Sequence, residues 1–165
     1  MAAIGEMSAA DFAFIPGFLP ALQRSPAAME ARNKLARTIS EGRLTPNQRA
    51  QIALVVAQES QCEYCVWAQT CVARASGLDW EDVTFACAGS ALDLRDAAIV
   101  KLARVIARTG CFSPNEVRAL ARDPQLKPSD VTEIVANAAL AVLDNYLIQS
   151  LAPAEARAGE PRRAA

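Results

Sequence analysis

Ser60-Gln61-Cys62-Glu63-Tyr64-Cys65-Val66-Trp67-Ala68-Gln69 sets two thiols three residues apart where a helix is expected to begin. Ser60 followed three residues later by Glu63 has the pattern of a capping box, in which a serine oxygen accepts the third helical N–H and the glutamate reaches back to the serine N–H. This predicts Cys62 at the second helical position. There the unpaired N–H groups and the positive end of the helix dipole favour thiolate over thiol. Cys65 follows one turn on, on the same face. Residues so spaced lie about 5–6 Å apart, inside the Cα separation that a disulfide tolerates, so the pair can close and open without remodelling the backbone.

The same grammar runs outward in both directions. Thr45-Pro46-Asn47-Gln48 is a second capping box, opening a helix over 46–58 whose Ile52, Leu54, Val55 and Val56 call for burial on most sides. Before it, Ser25-Pro26 supplies an N-cap with proline at the first helical position, and Gly42 a stop, for a helix over 28–41. Met29, Leu35, Ala36 and Ile39 are expected inward there; Arg32, Lys34 and Arg37 form an expected solvated face.

Beyond the dithiol the helical pattern continues to Gly77, and Asp79 with Asp82 caps a short helix over 83–88. Ser90 with Asp93 opens a helix over 92–109, stopped by Gly110. Ser113-Pro114-Asn115-Glu116 is a third capping box, before a short helix with Val117 and Leu120 inward. A loop over 123–128 precedes a last helix over 131–151, capped by Ser129 or Asp130 and apolar nearly all round. Such a helix must be buried by its own domain or by another subunit. No stretch alternates as a strand does, so the expected fold is all-α, an antiparallel helical bundle of about seven to eight helices. The bundle occupies 25–151. An arm over 1–24, rich in Phe and Pro, packs onto it, and 152–165 is read as a disordered tail.

Composition narrows the chemistry. Lys+Arg 17 against Asp+Glu 18, without a block of one sign, recommends neither nucleic acid nor an anionic membrane as partner. No apolar run is read as a membrane span and no signal peptide is recognised, so a cytoplasmic location is expected. Five cysteines, an odd number, do not suit a disulfide framework. The absence of histidine removes the commonest general base and the commonest metal ligand together. Zinc needs four donors, and Cys71, Cys87 and Cys111 form no second close pair. No metal or other cofactor is therefore expected, and Cys62 with Cys65 reads as a redox pair, with burial as small residues the plainer alternative.

Around that pair, Glu59 is a candidate proton acceptor, or else an exposed carboxylate at a helix end. Gln69, one turn after Cys65, can hydrogen-bond a sulfur or a substrate but cannot shuttle protons at neutral pH. Tyr64 and Trp67 are candidate pocket walls, with core packing the alternative for at least one of them. Asn137 and Asn145 interrupt the last helix and are expected either to face the site or to pair across an interface.

Leu44-Thr45-Pro46 opening a helix, Cys62-Glu63-Tyr64-Cys65 followed by Ala68, the Gly77-Leu78 turn, the helix between Ser90 and Gly110 and the asparagine-bearing last helix are together similar to the alkyl hydroperoxidase D-like proteins, grouped with the carboxymuconolactone decarboxylases. The resemblance spans roughly residues 20–150. It implies a helical fold that forms homo-oligomers, as dimer, trimer or hexamer. It also implies reduction of a hydroperoxide through a thiolate, a sulfenic acid and an intramolecular disulfide that a dithiol or protein reductant reopens. Carried over by position, Cys65 is the peroxidatic residue and Cys62 the resolving one, whereas the helix-dipole argument favours Cys62 as nucleophile; both are candidate catalytic residues, their order open. This chain departs from the pattern twice. Gln69 stands where the family has histidine, and the glutamate of the preceding helix falls near Ala50, leaving Glu59 as the remaining carboxylate. A weak or altered thiol peroxidase, or a disulfide reductase, is the expectation. A non-catalytic oligomeric binding protein on the same fold and a lactone-decarboxylating lyase are the alternatives.

Overall fold

A computed structural model describes residues 23–151. The expected tail over 152–165 lies outside the described residues, as does the expected arm over 1–24 except for its last two. Seven helices of more than one turn follow in order among the described residues: α1 (Pro26–Ser40), α2 (Pro46–Glu59), α3 (Glu63–Ala75), α4 (Trp80–Ala88), α5 (Leu94–Thr109), α6 (Pro114–Arg122) and α7 (Pro128–Leu151). No strand occurs among them, so the chain is all-α.

The architecture follows from α2. Thr45 caps it as expected: its Oγ1 accepts the Gln48 N–H at 3.2 Å and Gln48 Oε1 accepts the Thr45 N–H at 2.9 Å. The helix then spends its apolar residues in three directions. Ile52, Val55 and Val56 pack with Ile99, Val100 and Leu102 of α5 and Ile134 and Ala138 of α7. Ala50 and Leu54 pack with Ala73, Leu78, Val83 and Ala86 around α3 and α4. Ala57 joins Tyr64, Cys65, Ala68, Val72 and Ile148 where α3 meets α7. A helix that is apolar on most sides has nowhere to lie except at the centre.

Polar contacts fix how α7 crosses the others. Glu133 Oε2 accepts the N–H groups of Arg43 (2.7 Å) and Leu44 (3.2 Å), tying α7 to the loop before α2. A Cβ at Gly42 would sit 2.6 Å from the same oxygen, so a larger residue there would displace the Glu133 carboxylate from this position. Asp130, fully buried, accepts from Arg95 Nη1 at 3.1 Å and from the Lys127 N–H at 2.8 Å. The Arg95 hydrogen bond is the chief reason its carboxyl is held below the usual range.

Several expectations are corrected. Asp93 alone caps α5, accepting the Arg95 and Asp96 N–H groups, so that helix starts at Leu94 and Ser90 takes no part in the cap. Helix α7 begins at Pro128, which places Asp130 inside its first turn. Val117 is about half exposed rather than inward. The run Pro128–Gln149 is long and apolar enough, by length and composition, to cross a membrane, contrary to the expectation that no run is. Within this fold α7 packs against α2 and α5 and buries Asp130, Asn137, Asp144 and Asn145, polar groups that find partners inside the bundle. Arg32 is the largest departure. Its guanidinium is 2% exposed and forms a two-pronged ion pair with Asp144, Nε to Oδ1 at 3.0 Å and Nη2 to Oδ2 at 2.7 Å.

Candidate functional site

The dithiol sits at the α2–α3 junction, and the junction is built differently from the capping box expected at Ser60. Ser60 ends α2: its Oγ donates back to the Val56 carbonyl at 2.8 Å, and Cys62 rather than Ser60 caps α3. Gln61 then takes φ +50°, the left-handed region, and turns the chain out of one helix towards the next. Cys62 follows in extended conformation and is itself the N-cap, its Sγ accepting the Cys65 N–H at 3.2 Å. The sulfur therefore occupies the place where a capping oxygen normally stands, facing the N–H groups that favour a negative charge.

The Cα atoms of Cys62 and Cys65 are 5.2 Å apart and their sulfurs lie at disulfide distance. The two differ in access. Cys65 is fully buried, whereas Cys62 is half-buried. Helix α7 forms the wall behind the buried sulfur: the Asn145 carbonyl oxygen is 4.0 Å from Cys65 Sγ and Gln149 Nε2 is 3.9 Å from it. Asn145 Nδ2 donates to Ser60 Oγ at 3.3 Å, and its buried Oδ1 has no hydrogen-bond partner among the described residues. Asn145 thus faces the site, one of the two roles expected for it.

The other candidates separate. Tyr64 is buried, and desolvation pushes its hydroxyl pKa up; Trp67 is partly exposed, with the two rings tilted and 5.4 Å between centroids. Glu59 is drawn the other way. Its carboxylate accepts from Arg104 Nε at 2.6 Å and lies 3.5 Å from Arg108 Nε, both on α5, and no hydrogen bond among the described residues joins it to either sulfur. Gln69 is buried one turn beyond Cys65 and faces a cavity of about 50 Å³. Arg32, Arg49, Asn137 and Asp144 line the same cavity; Tyr64, Trp67 and Asn145 do not.

Sequence reasoning missed Arg32, Arg49, Asp144 and Gln149. A signal existed for one of them. A lone aspartate midway along a helix that is apolar nearly all round needs a buried cation, but nothing in the sequence says which arginine supplies it. The remaining cysteines are unlike the pair: burial pushes the thiols of Cys71 and Cys87 up in pKa, the opposite of what a reactive thiol needs.

Comparison with curated proteins and with solved structures gives no match. The sequence does match the carboxymuconolactone decarboxylase family over residues 26–108, just over half of the 165 residues and the stretch that carries α1 to the last turn of α5, dithiol included. With the all-α fold and the Cys62–Cys65 pair in that stretch, the chain belongs to the carboxymuconolactone decarboxylase family.

Proposed function

We propose that this protein is a thiol-dependent oxidoreductase that cycles Cys62 and Cys65 between dithiol and disulfide, reducing hydroperoxides at the expense of an external dithiol or protein reductant. The observation that carries this reading is the pair itself: two sulfurs at disulfide distance, one of them capping a helix through the Cys65 N–H. A thiolate of the reduced pair attacks one oxygen of R–O–O–H. The O–O bond breaks, the alcohol leaves with a proton, and the sulfur becomes a sulfenic acid. The second sulfur then displaces that oxygen as water, and the S–S bond forms. Two electrons and two protons from the external dithiol restore the pair by exchange. That exchange begins at Cys62, the sulfur a second molecule reaches.

The surroundings favour exchange over fast proton transfer. Asn145 Oδ1 is a buried acceptor suited to the O–H of a hydroperoxide or a sulfenic acid. Glu59 is occupied by Arg104 and Arg108, and Gln69 carries no titratable proton, so peroxide turnover is slower than it would be with a histidine relay. We propose in addition that the domain works as a homo-oligomer. Val135, Ala139, Leu143 and Tyr146 are exposed on α7 at spacings that keep them on one side of the helix.

The test is stopped-flow loss of free thiol after cumene hydroperoxide is added to the reduced protein, in wild type and in Cys62→Ser and Cys65→Ser. Loss of two thiols per chain in wild type, at least about a hundredfold faster than for a free thiol of ordinary pKa, is the expected result. A sulfenic acid trapped in only one of the two variants identifies the nucleophile. Loss no faster than that of a free thiol ends the peroxidase reading.

A further inference from the structure

Opening a disulfide leaves negative charge on the sulfur that is not attacked. An external thiol reaches Cys62, so the electron pair of the broken S–S bond passes to Cys65, which is fully buried. A thiolate there forfeits its hydration, so Cys65 is a poor leaving group unless the protein supplies a donor.

Helix α7 supplies one. Gln149 Nε2 donates towards Cys65 Sγ at 3.9 Å, and the Asn145 carbonyl oxygen, one turn earlier on the same side of α7, stands 4.0 Å from that sulfur. The two groups are opposite in kind. The carbonyl is an acceptor and suits the S–H of a neutral thiol; the carboxamide N–H is a donor and suits a thiolate. Both contacts are long, as fits a sulfur that carries neither proton nor charge in the disulfide, and catalytic hydrogen bonds commonly tighten as charge develops. Each sulfur thus has its own donor: the Cys65 N–H at 3.2 Å for Cys62, and Gln149 for Cys65. Gln69, the amide expected from the sequence to serve a sulfur, lines the cavity instead. The residue that serves Cys65 lies 84 positions away from it.

We propose that Gln149 is a catalytic residue of the disulfide-opening half of the cycle, donating its carboxamide N–H to Cys65 Sγ as that sulfur leaves. The proposal rests on the dithiol–disulfide reading and assigns a group to its recycling step. One thiolate of an external dithiol attacks Cys62 Sγ; a mixed disulfide forms, and the Cys62–Cys65 bond breaks with its electron pair on Cys65 Sγ. The reductant's second thiolate then attacks its own sulfur in the mixed disulfide and frees Cys62. The reductant ends as a disulfide, oxidised by two electrons, and its two protons end on Cys62 and Cys65. Gln149 holds the charge on Cys65 until that proton arrives.

Two variants of the full chain test this: Gln149→Met, which keeps the length of the side chain and removes the donor, and Gln149→Lys, which restores a donor. The Cys65 titration is followed by NMR of its Cβ in a Cys62→Ser background, so that no second thiol of the pair shares the proton. Its midpoint should rise by about one pH unit in Gln149→Met, the scale of a hydrogen bond to a charged group, and return to or below the starting midpoint in Gln149→Lys. With both cysteines present, reduction of the disulfide by dithiothreitol should slow roughly threefold in Gln149→Met and recover in Gln149→Lys. A purely structural Gln149 would leave the Cys65 midpoint in place while the urea midpoint fell. An unshifted Cys65 midpoint in Gln149→Met, or a shift that Gln149→Lys does not reverse, overturns the proposal. A wild type that is slow with cumene hydroperoxide but is reduced by dithiothreitol ends the peroxidase reading and leaves this one standing; a wild type that forms no Cys62–Cys65 disulfide ends both.

Discussion

At the scale of single residues, Arg32 and Asp144 show how one pairing alters the reading of a helix face. Arg32 lies between Ala31 and Asn33 on a stretch whose charges look solvated, and it is buried because Asp144 is buried 112 positions away in sequence. Such a pair is weak evidence for stability, since desolvating both charges offsets their attraction, but removing one partner strands the other. Arg32→Leu should therefore cost about 3–5 kcal/mol in urea denaturation, whereas Arg32→Met with Asp144→Leu should lie within about 1–2 kcal/mol of wild type. The pH dependence gives the cause. Burial pushes the Asp144 carboxyl up, and the Arg32 guanidinium opposes that rise. In Arg32→Leu the guanidinium is gone, so the folded pKa stands further above the unfolded value of about 3.9. The variant's deficit should then be smallest near pH 4, grow as the pH rises towards that folded pKa, and level off above it. A deficit that is the same at pH 4 and pH 8 would mean that lost packing, not a stranded charge, is responsible.

Among the elements, α2 bears the fold and its junction with α3 bears the chemistry. The N-cap and the core of α2 contribute on different scales. Thr45→Ala removes one side of the capping box and should cost about 0.5–2 kcal/mol. Leu54→Ala opens a cavity in a fully buried position and should cost about 2–5 kcal/mol. Chemical denaturation of the two variants checks the ranking, and the reverse order would remove α2 from the centre of the energetics. Two capping boxes were legible because each needs only residues three apart, Thr45 with Gln48 and Ser113 with Glu116. The third expected box, Ser60 with Glu63, did not form. Ser60 belongs to the end of the preceding helix, and the left-handed turn at Gln61 hands the capping role to a sulfur.

For the whole molecule, the question is what covers α7. One side of this helix fills the core through Ile134, Ala138, Ala141 and Ile148, while Val135, Leu143 and Tyr146 stand between about 39% and 67% exposed on the other. Light scattering of the wild-type chain should give a mass that is a multiple of 17.6 kDa. Leu143→Glu should shift that mass towards the single-chain value, because a charge placed at an apolar interface must be desolvated without a partner. A wild-type chain that is monomeric at micromolar concentration would end the oligomer proposal and leave this stripe as ordinary exposed apolar surface.

The sequence by itself determined the fold class, most helix ends, the central place of α2 and the dithiol. All of these depend on residues within a turn or two of one another: cap spacing, apolar periodicity, and two cysteines three apart. The tertiary structure alone decided which sulfur is accessible, that Glu59 is held by α5 arginines rather than turned to the thiols, and that Arg32, Arg49, Gln69 and Asp144 line one cavity. Those outcomes turn on which helix face meets which, a relation between residues 45 to 112 positions apart that no local pattern records.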